Sequence, residues 1–285
     1  AWAKTCTVTR GWQHIANTSL GFANVGVDSN GIGKAGENPI VSLGDGGTAV
    51  LTFDRPIKNG LGYDFAVFEN AFSDHFLELA FVEVSSDGVN YFRFPATSNV
   101  QYTTQIGPYD EMGEPEKINN LAGKYRVNYG TPFDLEELKN KPGLNVNAIT
   151  HIKIIDVVGC VQAPYASHDD SFSIINDPYP TDFGNGGFDL DAVGVIYQQE
   201  VGLSENELLN SLFVYPNPCS TNLNIVNATE GEKTIVLFNQ LGEEKINVST
   251  NSININLNLS ELNKGLYHLK INSERGVIFK KILIN

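Results

Sequence analysis

The sequence predicts an all-β protein, in which a jelly-roll-like antiparallel sandwich is followed by a small Ig-like β-sandwich. Most apolar segments are short and alternate with polar residues at period two, which is typical of strands with one buried face. Gly, Pro, Asn and Asp separate these segments, and helical periodicity is scarce. The 285 residues are enough for two cores. We therefore expect a first domain at 1–200, a linker at 201–211 and a second domain at 212–285.

The predicted strands of the first domain begin with a hairpin. Residues 40–44 and 48–53 are short segments rich in apolar and β-branched side chains on either side of an Asp-Gly-Gly turn at 45–47. The same pattern, or a continuous apolar run that indicates a fully buried strand, recurs later in the domain. These segments predict further strands at 64–68, 80–85, 91–94, 151–158 and 188–196.

Other parts of the first 211 residues favour loops. Residues 1–37 are rich in Gly and Asn, and residues 98–148 are mostly irregular. A short helix is predicted at 135–139 because Asp134 stands where a capping side chain is needed. A second short helix is predicted inside the linker at 204–209, with Ser204 as its cap.

The second domain has the most regular strand pattern in the chain. Turn residues interrupt the alternation every eight to twelve positions, as in a small sandwich. A Gly ends each of two predicted turns, at 239–242 and 273–276, where it can take a positive φ. The predicted strands are 223–226, 234–238, 253–257, 265–271 and 276–283.

Four separated motifs occur in order in this domain. They are Tyr215-Pro216-Asn217-Pro218, then Asn239-Gln240-Leu241-Gly242, then Leu259-Ser260-Glu261-Leu262 with Lys264-Gly265-Leu266-Tyr267, and finally Lys280-Lys281-Ile282-Leu283. This quarter of the chain resembles the type A C-terminal sorting domain of the type 9 (Por) secretion system. The resemblance marks Tyr215, Pro216, Asn217, Pro218, Gly242, Gly265, Tyr267, Lys280 and Lys281 as the sorting signal.

The resemblance implies an export address. A domain of this kind is recognised at the outer membrane by the type 9 translocon and an outer-membrane β-barrel shuttle protein, and a sortase usually removes it afterwards. The protein would then pass through the periplasm to the outer-membrane surface or be secreted. The chain begins at Ala1 without Met, so we expect a mature chain whose signal peptide was removed.

Charge is unevenly distributed along the chain. The net charge is −14, yet residues 209–285 contain seven Lys and Arg against six Glu and no Asp. Residues 1–208 therefore contain twelve basic and twenty-seven acidic residues. This acidity disfavours nucleic acid and anionic membranes as partners of the first domain and permits cation binding. A solubilising surface would have the same composition.

Oxygen-bearing side chains follow or occupy several predicted strands of the first domain. Ca²⁺ takes six to eight oxygen ligands, and two carboxylates on one strand face need compensation when buried. A structural Ca²⁺ ion is one source of compensation, and hydrogen bonds from backbone or basic groups are the other. The candidate ligands are Asp64, Glu69, Asn70, Asp189 and Asp191, with Asp156 and Asp177 as further members.

The chain has three cysteines, Cys6, Cys160 and Cys219. Export implies an oxidising compartment, so a disulfide between Cys6 and Cys160 is one expectation, and free thiols are the other. Cys219 would be left over. Three cysteines do not form a zinc-binding pattern.

Evidence for catalysis in the sequence is weak. Glu69, Glu78 and Glu83 are the candidate carboxylates of a glycan-active enzyme, but any acidic β-protein offers such pairs. The five histidines are scattered, and neither Gly-x-Ser-x-Gly nor His-Glu-x-x-His occurs. Aromatic side chains favour either packing or stacking on sugar rings of a surface glycan; they are Tyr91, Phe92, Tyr102, Tyr109, Tyr125, Tyr129, Tyr165 and Tyr179.

The first domain also resembles a recurring domain of bacterial cell-surface proteins. The blocks that carry this resemblance are 41–47, 62–72 and 187–193. That family has no well-characterised activity, so the resemblance implies a surface location and a β-sandwich. We therefore expect an exported, non-enzymatic binding or adhesion module. An accessory component held at the translocon or gliding apparatus by its sorting domain is the first alternative, and a glycan-active enzyme is the second.

Overall fold

The computed structural model describes residues 1–199, 212–227, 231–273 and 276–285. The chain divides into two compact units, Ala1–Gln199 and Glu200–Asn285. Strands dominate both units, so the predicted all-β class is confirmed. The linker and its predicted helix at 204–209 lie outside the described residues.

Twelve strands are described in the first unit. They are β1 (Thr5–Thr9), β2 (Val41–Ser42), β3 (Thr48–Ile57), β4 (Phe65–Glu69), β5 (Ala80–Ser85), β6 (Phe92–Arg93), β7 (Thr97–Ser98), β8 (Ile118–Asn119), β9 (Leu121–Ala122), β10 (Thr131–Phe133), β11 (Ile149–Asp156) and β12 (Asp189–Val195). The predicted helix near residue 135 is a single 3₁₀ turn, Leu135–Leu138, in which Asp134 accepts a hydrogen bond from the Glu136 N–H. Further 3₁₀ turns are Thr18–Leu20, Asp28–Gly31 and Pro115–Lys117.

Two larger antiparallel sheets and the two-stranded pair β7-β8 contain the described strands of the first unit. One has the order β1-β3-β11-β5-β6, with β9 also paired to β5, and the other has the order β10-β4-β12-β2. Alternate residues of β3, β11 and β4 are buried, and they enter one cluster that spans both sheets. The core therefore lies between the sheets, as in a sandwich. A jelly-roll connection of the strands stays a prediction.

The second unit contains seven described strands. They are β13 (Leu212–Tyr215), β14 (Asn222–Asn227), β15 (Lys233–Phe238), β16 (Glu244–Thr250), β17 (Asn254–Asn258), β18 (Gly265–Ser273) and β19 (Gly276–Ile284). They form a three-stranded sheet, β13-β14-β17, and a four-stranded sheet, β16-β15-β18-β19. Both sheets contribute buried residues to one apolar cluster. Seven antiparallel strands in two sheets are the architecture of Ig-like sandwiches, as the sequence predicted.

No helix in the described part of the chain is long and apolar enough to cross a membrane.

The predicted disulfide between Cys6 and Cys160 is wrong, because all three cysteines are free. Cys6 lies on β1 opposite Leu51 of β3, which in turn faces Ile152 of β11. Cys160 comes eight positions after Ile152 and packs with Val158 and Tyr179 in a separate small cluster. Two strand spacings already exceed the ~7 Å limit for bridged Cα atoms, so this register holds the thiols apart.

Candidate functional site

The five predicted calcium ligands do not converge in the structure. Asp64 precedes β4 and Glu69 ends it, so about 17 Å of strand separates them. Asp64 is already satisfied there, because its two oxygens accept hydrogen bonds from the backbone N–H groups of Gly60 and Leu135, each at 2.7 Å. It is therefore a structural carboxylate that ties two loops together.

Asp191 is also held by backbone. The register of β12 against β4 shifts between Leu190 and Ala192, which interrupts the alternation at Asp191. The N–H of Gly36 lies 3.2 and 3.0 Å from its two oxygens. The pairing of Asp189 and Asp191 on one strand face stays a prediction, because the alternation on which it rests is interrupted at this irregularity.

Glu69 and Asp189 do come together, and they form part of a larger group. We define the buried acidic cluster as Glu69, Glu78, Asp156, Asp177 and Asp189. Each of these side chains is at most 6% exposed. Sequence analysis proposed Glu78 only as a catalytic residue, since it lies in the irregular segment between β4 and β5 and shows no strand pattern.

Backbone N–H groups satisfy part of the cluster. Asp156 accepts from Phe188 at 2.7 Å and from Gly46 at 2.9 Å. Asp177 accepts from Leu79 at 2.8 Å, and Glu69 accepts from Ala71 at 2.7 Å through Oε2.

Two fully buried carboxylate oxygens of the cluster have no hydrogen-bond partner among the described residues. They are Oε1 of Glu69 and Oδ1 of Asp189. The Oγ of Ser42, directly opposite Asp189 in the register of β12 and β2, is unpartnered as well. A buried oxygen without a partner is costly, so some groups here must be compensated by a proton or a cation.

Burial is the largest influence on the pKa values of the cluster. It raises the pKa of Glu69 and Glu78 well above the usual range, and the neighbouring charge of Asp189 raises both further. Burial likewise raises the pKa of Asp189 to about 7. The pKa values of Asp156 and Asp177 are raised for the same first reason. Burial therefore disfavours the ionised form of every carboxyl group in the cluster.

Metal binding depends on how the side chains are arranged in space. Within the described ranges, no three His, Cys, Asp or Glu side chains are arranged to hold a metal ion. Calcium binding therefore stays a prediction that rests on the sequence alone.

The candidate catalytic carboxylates are poorly placed for substrate contact. Glu69 is 1% exposed and Glu78 is 6% exposed. Glu83 pairs with Arg93 at 2.9 Å and with Lys153 at 3.6 Å across neighbouring strands. An accessible pair of carboxylates around a sugar bond is thus not formed by these three side chains.

Two loops next to the acidic cluster carry exposed aromatic rings. We define the aromatic loop patch as Phe72, Asp74, Tyr125, Arg126 and Tyr129, from the β4–β5 and β9–β10 connections. Phe72 is 61% exposed and Tyr129 is 60% exposed. The guanidinium of Arg126 lies 5.7 Å from the centre of the Tyr129 ring and 3.4 Å from Asp74.

Hydrogen bonds and stacking fix the patch. The N–H of Val127 donates to the carbonyl of Ala71 at 2.8 Å, which ties the two loops together. Phe72 stacks on the buried Phe76 with ring centres 4.4 Å apart. The patch therefore presents flat rings beside charged hydrogen-bonding groups.

The other predicted aromatic residues divide by exposure. Tyr102 and Tyr109 are exposed, as are Tyr125 and Tyr129. Tyr179 is buried against His14, so of the two alternatives it is a packing residue. Half-buried rings are Tyr91, Phe92 and Tyr165. Phe72 was missed because no local pattern distinguishes an exposed Phe from a core Phe.

In the second unit, the Tyr-Pro-Asn-Pro motif contacts the end of the chain. Asn217 Nδ2 donates to the carbonyl of Lys281 at 2.8 Å, and Asn217 Oδ1 accepts from the Leu283 N–H at 2.9 Å. The backbone of Cys219 continues this contact with Leu283 and Asn285. The first and last motifs of the domain are thus one structural unit.

The two central motifs form turns. Gly242 has a φ of +80°, which a residue with a side chain rarely adopts, and Asn239 Oδ1 accepts from the N–H groups of Leu241 and Glu243. Tyr267 is buried, and its hydroxyl donates to the carbonyl of Asn263 at 2.9 Å. A Tyr near the start of the sixth strand that bonds upstream backbone is the tyrosine corner of Ig-like domains.

Residues 213–285 match the family model of the secretion system C-terminal sorting domain. The second unit is a type 9 secretion sorting domain. The protein is therefore exported through the type 9 secretion system to the cell surface or secreted. The sorting domain covers about a quarter of the chain, so it gives no information about what the first unit does.

A comparison with curated proteins finds no match to this chain. Among solved structures, PorZ, a surface component of the type 9 secretion system of Porphyromonas gingivalis, is 13% identical over 33% of this chain and 14% of that one, with a TM-score of 0.26. A β-glucuronidase from Ruminococcus gnavus is 11% identical over 99% and 44%, with a TM-score of 0.25.

The BSP domain of a biofilm-associated protein is 10% identical over 90% of this chain and 53% of that one, with a TM-score of 0.22. The chain thus spans about half or less of the length of these proteins. Superpositions of this quality carry no argument about function.

The sorting signal has exposed and buried parts. Tyr215 is 51% exposed, and Lys281 and Gly242 are also on the surface of the sorting domain. Tyr267 is buried, and Gly265 and Lys280 are intermediate. Several motif residues therefore build the sorting domain, whereas the exposed ones are available for recognition.

Proposed function

We propose that the first unit is a non-enzymatic binding module that the sorting domain delivers to the cell surface. The aromatic loop patch carries this proposal. It combines exposed rings of Phe72, Tyr125 and Tyr129 with a charged pair that can bond hydroxyl groups, Arg126 and Asp74. Sugar rings stack on aromatic faces and bond such side chains, so a surface glycan is the proposed ligand.

The burial of the acidic cluster supports binding over hydrolysis. A glycosidase needs carboxylates that reach the glycosidic bond, and Glu69 and Glu78 face the interior. The export route is compatible with the same proposal, because it delivers the first unit to the cell surface or the medium.

Binding to glycans from the native outer membrane tests the proposal. The variants Tyr129→Ala and Phe72→Ala should each weaken binding about tenfold, as expected for the loss of roughly 1–2 kcal/mol of ring contact. Tyr102→Ala is the matched control, since Tyr102 is also half exposed but lies outside the patch. Equal binding by all three variants would exclude the patch as the glycan site.

The binding partners of the sorting domain during export are a separate part of the proposal. We propose that the sorting domain binds the translocon and an outer-membrane β-barrel shuttle protein, to which the first unit contributes little. A pull-down with the full-length chain from native outer membrane should recover these proteins. Recovery that depends on residues of the first unit would instead favour a stable accessory component of the translocon or gliding apparatus.

A further inference from the structure

Among the described strands of the sorting domain, four lie at sheet edges, and three of these four are protected. β13 has four residues and runs into Pro216. β16 carries Glu244 and Lys245 at its start, and β19 carries Lys280 and Lys281. Short length, Pro and charge are the features that keep edge strands from pairing with other chains. The contact of Asn217 with Lys281 and Leu283 covers part of β19 as well.

The fourth edge, β17, has no charge and no Pro, and it is one residue longer than β13. From Asn251 to Ser260 the chain contains no charged residue, no Pro and no Gly. Asn alternates with Ile or Leu through this stretch, so one face of the strand is aliphatic and the other carries amides. An uncharged alternating segment on a sheet edge is a template for strand addition.

The hydrogen bonds of β17 show which backbone groups face the open edge. The N–H of Leu259 donates to the carbonyl of Thr221 at 2.7 Å, next to β14. Because bonding alternates along an antiparallel strand, Asn254, Asn256 and Asn258 point their backbone groups away from β14. Among the described residues, these groups have one partner, the Ser252 hydroxyl, which donates to the Asn254 carbonyl at 2.7 Å.

The alternation of Asn and aliphatic residues in β17 is the same whether the strand is followed from its first residue or from its last. Asn254-Ile255-Asn256-Leu257-Asn258 has Asn at its centre and at both ends, with an aliphatic residue between. Two such strands placed antiparallel about Asn256 would oppose Asn to Asn and Ile to Leu. All amides then stay on the outer face and all aliphatic side chains stay on the core side.

We propose that β17 is a self-association edge and that its partner is β17 of a second copy of this chain. The two three-stranded sheets then join into one six-stranded sheet across a two-fold axis at Asn256. The outward-facing groups of Asn254, Asn256 and Asn258 form the bonded pairs of this contact. The side-chain bond from Asn256 Nδ2 to Asn224 Oδ1, at 2.8 Å, extends as an amide ladder over the joined sheets.

Sedimentation of the full-length chain over a range of concentrations tests this proposal. The native chain should show a monomer–dimer equilibrium. Asn256→Lys places two ammonium groups opposite each other at the axis, so the dissociation constant should rise about tenfold or more. Asn247→Lys, at an exposed Asn on the β16 edge, is the control and should dimerise like the native chain.

Crosslinking identifies the contact in the same sample. Asn256→Cys should be joined efficiently by a short bis-maleimide, because paired Cα atoms in such a contact are ~5.5 Å apart. Asn247→Cys should not be joined. A native chain that stays monomeric at every concentration, or a dimer that Asn256→Lys leaves intact, would overturn the proposal.

Discussion

Asn217 pairs with the backbone of Leu283 as a neighbouring strand would. Its Oδ1 accepts from the Leu283 N–H while its Nδ2 donates to the Lys281 carbonyl, so one side chain satisfies two groups of the edge strand β19. Asn217→Ala should therefore destabilise the sorting domain by about 1–3 kcal/mol. Faster hydrogen exchange in the peptide 277–285 of the full-length chain would show it. Asn222→Ala removes only an exposed bond to Thr221 and should leave that exchange unchanged.

The tyrosine corner gives a second prediction about the same domain. Tyr267→Phe keeps the buried ring but removes the bond to the Asn263 carbonyl, so the sorting domain should lose about 1–2 kcal/mol of stability. Denaturant unfolding that resolves this domain measures the loss. Tyr215→Phe alters a half-exposed hydroxyl and is the matched control. Equal midpoints for both variants would contradict a stabilising role for the corner.

The sorting domain could be predicted from sequence because its motifs are local. Gly242 needs a positive φ that a four-residue turn already indicates, and the alternation of β18 shows which side chains are buried. The contact of Asn217 with Leu283 spans 66 positions and has no local signal. The motifs that carry the resemblance indicated the domain without indicating this pairing.

Only part of the acidic cluster could be predicted from the sequence, because some of its members have no local signal. Asp189 and Glu69 stand near strand ends, where oxygen ligands are expected, and the structure brings them together. Alternation places Asp191 with them, and its charge does raise the pKa of Glu69, but its oxygens accept from the Gly36 N–H. Glu78 lies outside any strand, and its burial depends on how the loop between β4 and β5 folds back, which period-two patterns do not encode.

The pH dependence of stability should reflect Asp189. Its pKa is about 7 in the folded protein and near the ordinary Asp value when unfolded, so the folded state binds the proton more tightly. The stabilising effect of that proton is complete below about pH 4 and is lost as the pH rises to about 7. Asp189→Asn keeps the shape, removes this loss and should raise stability at pH 8 by at most about 4 kcal/mol. Thermal unfolding between pH 4 and 8 measures both slopes.

Bound Ca²⁺ would reverse this pH dependence, so that stability would rise with pH. A cation requires deprotonated ligands, so added Ca²⁺ should then raise the melting temperature at pH 8 and EDTA should lower it. Asp189→Asn and Glu69→Gln would abolish this response, whereas Asp191→Asn should keep it because Asp191 bonds the Gly36 backbone. An unchanged melting temperature with Ca²⁺ and with EDTA would exclude the ion and leave protons as the compensating charge.

Phe172 occupies a conformation that a bulky residue rarely adopts. Its φ is +63°, and its side chain is 87% exposed, so no packing compensates the strain. The turn is held instead by Asp169, whose Oδ1 accepts from Ser171 and Ser173. Asn tolerates this backbone region better, so Phe172→Asn should raise the free energy of unfolding by up to about 1 kcal/mol. Chemical denaturation of the first unit's transition measures it. Leu61→Asn, at another exposed apolar side chain, is the control and should not raise stability. A loss of stability at Phe172 would show that its ring makes a contact worth more than the strain.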